Sequence, residues 1–121
     1  MCPAKNELVL DPEAIANLRL LGDEGDDTFL REILTIYLND VPQRIRDLKL
    51  ALEQNDQPFF TRSAHTIKGS SANAGAKELK NLATKLEARS KNEPLAALGP
   101  ALAELEQAFG RAEAKMRELL T

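Results

Sequence analysis

Leu95, Leu98, Leu102, Leu105, Phe109, Ala112, Met116 and Leu119 recur in strict 3–4 alternation. An α-helix puts residues so spaced on one side, so the C-terminal stretch carries a single apolar stripe that something must cover. A second copy could cover it, as in a dimeric coiled coil. The rest of the chain offers another cover. Leu30, Leu34, Tyr37, Val41, Ile45, Leu48 and Leu52 form an equally long stripe, and Leu79, Leu82, Ala83 and Leu86 form a shorter one. Each of these also needs a partner. Mutual burial within one chain satisfies all of them, so the expected fold is all-α: an up-down-up-down four-helix bundle with a short additional N-terminal helix over one end.

Punctuation between the stripes supports this division. Asp11-Pro12-Glu13 reads as the start of the short first helix, with Asp as N-cap and Pro at the first helical position. That helix is expected to stop near Gly22. The following acidic loop, Gly22 to Thr28, reads as capping and solubility; its spacing does not fit a calcium loop. Pro42 lies inside the second stripe, but the stripe keeps its phase across it, so one bent helix is expected there. Asn55-Asp56-Gln57-Pro58 ends that helix and starts another, expected from about Pro58 to Asn73. Asn73-Ala74-Gly75 is a turn, with Gly75 suited to a left-handed backbone. Ser90 to Pro94 connects the next pair, and Gly99-Pro100 interrupts the last helix early.

The whole chain, residues 1–121, is expected to form one domain, with 1–10 a flexible N-terminal segment. Aromatic residues are only 4% and Trp is absent, while Leu and Ala abound, which favours helices over sheets. The net charge of −3 and the scattering of Lys and Arg among acids argue against a nucleic-acid binder. Cys2, the sole cysteine, can form no internal disulfide. No run is long and apolar enough for a membrane span, and the N-terminus lacks the pattern of a signal peptide, so a cytoplasmic location is expected. A metal site is not expected, since zinc alone asks for four ligands and the chain has one His and one distant Cys.

The segment from Phe60 to Ala76 carries the chemistry. At roughly 100° per residue, Phe60, Ala64, Ile67, Ser71 and Ala74 share one direction and form a core face. His65 points well away from it. Lys68, Gly69 and Ala72 follow His65 by three, four and seven residues, on its own face. A glycine inside a helix costs about 1 kcal/mol relative to alanine. Access explains that cost: without a side chain at Gly69, another molecule can approach the imidazole. Neutral imidazole is a good nucleophile near neutral pH. Phosphoryl transfer asks for in-line positioning and positive charge near the phosphoryl oxygens, and Lys68 is placed to supply that charge. By residue pattern alone, His65 is a candidate phosphoryl carrier, and an ordinary solvated histidine remains the alternative.

The run Ala64-His65-Thr66-Ile67-Lys68-Gly69-Ser70-Ser71-Ala72-Asn73-Ala74-Gly75-Ala76 resembles the signature of histidine-containing phosphotransfer (HPt) domains. Leu79 and Leu86-Glu87 occupy the downstream positions of that pattern. Phe29-Leu30, Tyr37-Leu38, Asp40 and Pro42 resemble the helix preceding it in the family. The resemblance implies a four-helix bundle in which His65 accepts the phosphoryl group, with Nε2 the expected nitrogen. Lys68 would help hold that group, and Gly69, Ala72 and Thr61 would lie in the partner-docking surface. The implied partners are receiver domains of response regulators, and a sensor or hybrid histidine kinase as a source. The chain would need no cofactor of its own; Mg²⁺ would sit on the receiver.

The dimerising helices of sensor kinases also carry a phosphorylated histidine, but Thr66 and Ser70-Ser71 do not match their pattern. No glycine-rich phosphate loop is present, so the chain is not expected to phosphorylate itself from ATP. It is expected to be a carrier dependent on partners, and a monomer. The alternative is a module that binds receivers or a kinase through the same face without carrying phosphate. A solvent-accessible His65 favours the carrier, and a buried or salt-locked one favours the binding module.

Overall fold

The computed structural model of the chain describes residues 8–22 and 26–121. Cys2, and positions 23–25 of the acidic loop, lie outside the described residues, as does most of the segment expected to be flexible.

Helix α1 spans Pro12–Leu20. Asp11 caps it, with Oδ1 accepting from the Glu13 N–H at 3.0 Å. Helix α2 spans Thr28–Gln54 and runs through Pro42 as one helix. It ends at Asn55 in the left-handed region, φ 54°, where the Asp56 N–H donates to the Ala51 carbonyl at 2.9 Å. Helix α3 spans Gln57–Ala74, capped by the Asp56 carboxylate on the Phe59 N–H. Gly75, with φ 77°, terminates it; a β-carbon there would crowd Ile15 and Ala14 at 3.2 and 3.3 Å. Helix α4 spans Lys77–Ser90. A short 3-10 segment, Leu95–Leu98, precedes α5, Gly99–Leu120, so Gly99-Pro100 opens the last helix and does not merely fray it.

Helices α2, α3, α4 and α5 pack in a ring, each against the next and α5 back against α2, while α1 lies on α2 and α3. The predicted bundle is therefore the observed architecture. All three stripes meet in one core, with Leu34, Val41, Leu48, Phe60, Ile67, Leu79, Leu98 and Leu105 fully enclosed. No described helix is long and apolar enough to cross a membrane.

Two details differ from the expected faces. At the end of α2, Ala51 is buried and Leu52 only partly so. On α4, Leu82 is half-buried, and the core positions around it go to Ala83 and to the charged Glu78. The Glu78 carboxylate is held by a two-pronged bond from Arg111 of α5, at 3.0 and 2.8 Å, which compensates for its burial.

Candidate functional site

The core face of α3 is the one expected: Phe60, Ala64, Ile67, Ser71 and Ala74 are buried. Ser63 joins them. The Ser71 hydroxyl is satisfied inside the bundle by Tyr37 of α2 at 2.6 Å. With α3 locked in that orientation, the opposite side is presented outward. His65 is 63% exposed. Gly69 and Ala72 are exposed beside it, and a β-carbon built on Gly69 meets nothing within 4 Å. Packing within the chain therefore gives no reason for a glycine there.

A carboxylate from α4 organises the face. Glu87 places Oε2 2.9 Å from His65 Nδ1 and Oε1 2.7 Å from Lys68 Nζ. Lys91, the residue that follows α4, brings its ammonium to 3.8 Å from Oε2. The Glu87 side chain is only 13% exposed. The hydrogen bond from Lys68 holds its carboxyl below the usual carboxylate range; partial burial opposes this, and His65 adds to the lowering. Glu87 is thus ionised at neutral pH and can only accept. A neutral imidazole consequently presents Nδ1–H to it and keeps its lone pair on Nε2.

Lys68 is half-buried and lies on the same face as His65, as expected, but its ammonium is drawn to Glu87. Thr61 lies toward α4. It is half-buried in the α3–α4 seam, with its hydroxyl 2.7 Å from that of Ser90, so it does not present a free polar group for docking. Antiparallel packing about the Gly75-Ala76 turn makes Thr61–Ser90 and His65–Glu87 neighbouring rungs. Among the described residues, no group of three or more His, Cys, Asp or Glu side chains converges as a metal would need.

Glu87, Lys91 and Ser90 were not singled out as site residues from sequence. A signal existed for Glu87. It follows Leu86, whose place in the α4 stripe is in the core, and equal counting outward from Ala76 sets it opposite His65.

Residues 32–115 match the sequence profile of the Hpt domain. The chain belongs to the Hpt domain family. It is 33% identical over 70 residues to histidine-containing phosphotransfer protein 5 of Arabidopsis thaliana, covering 55% of this chain and 45% of that protein. It is 32% identical over 72 residues to the phosphorelay intermediate protein rdeA of Dictyostelium discoideum, covering 60% of this chain and 28% of that one. The chain thus spans about half the length, or less, of the curated relatives it matches. Among solved Hpt structures, HptB of Pseudomonas aeruginosa superposes with a TM-score of 0.83 at 24% identity, over 93% of this chain and 94% of that one. MtHPt2 of Medicago truncatula gives 0.81 at 26% identity, over 93% and 77%. Hpt proteins are phosphotransfer carriers and not self-sufficient enzymes.

Proposed function

We propose that the chain carries a phosphoryl group on His65, taking it from a phospho-aspartate receiver domain or a kinase and passing it to a response-regulator receiver. The observation that carries this reading is an exposed imidazole bonded through Nδ1 to Glu87, on a face where Gly69 leaves open ground.

The step balances simply. The Nε2 lone pair forms the N–P bond as the P–O bond to the donor aspartate breaks, and the aspartate leaves as a carboxylate. Positive charge grows on the ring as the bond forms. The Glu87 carboxylate on Nδ1–H stabilises that charge, and Lys68 is within reach of the incoming phosphoryl oxygens. Gly69 and Ala72 keep the surface low for the partner. Mg²⁺ belongs to the receiver, and this chain supplies no cofactor. It acts in the cytoplasm as a monomer and takes no phosphate from ATP itself.

A binding module without phosphate would use the same face. His65 is bonded to Glu87, which that reading would use, but its side chain is 63% exposed and the bond engages Nδ1, which favours the carrier. Incubation with a phosphorylated receiver domain tests the choice. The chain should take up an acid-labile label, and His65→Gln should abolish it. A label retained in that variant would overturn the assignment.

A further inference from the structure

A threonine hydroxyl on a helix can bond within its own helix. Thr66 and Thr84 each donate to the carbonyl four residues back in their own helix, at 3.0 and 2.8 Å. Thr61 does otherwise. Its hydroxyl crosses to α4 and meets Ser90 Oγ at 2.7 Å. Ser90 Oγ already donates its one proton to the Glu87 carbonyl, at 2.7 Å, so in this pair Thr61 donates and Ser90 accepts. The Ser90 carbonyl is taken as well, by Gln57 Nε2 at 2.6 Å. Ser90 is wholly buried, and its hydroxyl has both roles filled.

These bonds fall where α4 is least secure. Glu87 and Ser90 bound the last turn of the helix, and a helix end frays unless something holds it. Backbone N–H groups of Lys91, Asn92 and Glu93 take the Ala88 and Arg89 carbonyls, but the Glu87 carbonyl accepts from the Ser90 hydroxyl, so the aim of the Glu87 carboxylate is tied to that side chain. Gln57 and Thr61, one turn apart on α3, grip that turn from the side, and His65 stands one turn further along the same helix.

We infer that Thr61 and Ser90 are positioning residues: their bond pins the α3–α4 register so that Glu87 stays under His65 Nδ1, fixing the tautomer that leaves Nε2 free. The inference rests on the carrier reading of His65, and it reassigns Thr61 from docking to the support of the nucleophile. Neither hydroxyl touches the reacting atoms.

The sole histidine makes the test direct, because the imidazole nitrogens give one unambiguous set of ¹⁵N resonances. The tautomer ratio is read from their shifts in the unaltered chain, Thr61→Val, Ser90→Ala and Thr61→Ser. Phosphoryl uptake is measured against receiver concentration on the same samples. The Nδ1–H form should dominate in the unaltered chain and in Thr61→Ser. In Thr61→Val and Ser90→Ala it should fall towards the ratio of free imidazole. Uptake at saturating receiver should drop about 3- to 10-fold in both, as expected for a misplaced reacting group. The half-saturating receiver concentration should stay within about twofold of the unaltered chain.

An unchanged tautomer ratio in both variants overturns the inference, even if their melting points fall, because a purely structural bond would do only that. A raised half-saturation with unchanged saturated uptake also overturns it and returns Thr61 to docking. Should Thr61→Val fail to fold, Ser90→Ala and Thr61→Ser give the same two readouts. If the unaltered chain takes up no label, the carrier reading fails, and the tautomer ratios alone decide the clamp.

Discussion

Lys68 Nζ lies 2.7 Å from Glu87 Oε1, so the cation best placed to meet a phosphoryl group is already neutralised before one arrives. A dianionic phosphoryl on Nε2 would compete with Glu87 for it. Lys68→Ala should therefore slow uptake by about 10-fold, the worth of one charge-assisted hydrogen bond, and leave the helices intact. Circular dichroism and transfer kinetics on the same sample check both halves. Unchanged kinetics would remove Lys68 from the mechanism.

Glu87 separates charge from geometry. Glu87→Gln keeps an acceptor for Nδ1–H but loses the charge that stabilises the developing imidazolium. Glu87→Ala loses both. Uptake should fall in that order, by roughly ten-fold and then by roughly a hundred-fold, at 1.4 kcal/mol per decade. Equal rates in the two variants would mean that orientation of the ring contributes nothing.

The same residue sets a pH dependence of stability. The Glu87 carboxyl is held below its ordinary value by Lys68 first and His65 second, so the folded state binds this proton less readily than the unfolded chain. Its contribution is fully present above the ordinary glutamate range, about pH 4.3, and is lost as pH falls through the lowered folded value. The melting-point difference between the unaltered chain and Glu87→Gln should therefore narrow as pH falls below about 4. A difference that widens in that range would contradict the sign.

Gly69→Gln should split stability from function. Its β-carbon meets nothing within the chain, and glutamine is the better helix former by about half a kcal/mol. The variant should melt slightly higher while its half-saturating receiver concentration rises roughly tenfold, from bulk beside Nε2. Normal transfer by this variant would defeat the access argument.

Tyr37→Phe leaves the fully buried Ser71 hydroxyl without its partner. Chemical denaturation should show a loss of about 1–3 kcal/mol, much of it recovered when Ser71→Ala is added. Burial pushes the Tyr37 phenol above its ordinary range, so this bond should not weaken in mildly alkaline solution.

Much of this was legible in one dimension. The alternation from Leu95 to Leu119 required a partner surface, and the phase of Phe60, Ala64 and Ile67 turned His65 outward. Gly75 announced its left-handed turn. What escaped was what lies opposite what. The contacts of Glu87 with His65, and of Ser90 with Thr61, depend on how α3 and α4 slide past each other. Many side chains set that register together, and no single residue states it. Thr61 illustrates this: it lies one turn from His65 on the wheel, and its hydroxyl meets Ser90 across the seam. Glu78 escaped because a glutamate on a helix is ordinarily solvated, and only Arg111, 33 positions away, makes its burial tolerable.

Tyr37 is the only tyrosine, there is no tryptophan, and its ring lies 6.3 Å from that of Phe109 in the core. The chain is therefore optically silent where tryptophan is selectively excited, and its single phenol emits from within the core, away from the His65 face. Any tryptophan fluorescence from a mixture with a receiver belongs wholly to the receiver, so association can be followed in real time on unlabelled proteins. The phenol independently reports whether the bundle stays closed while they meet.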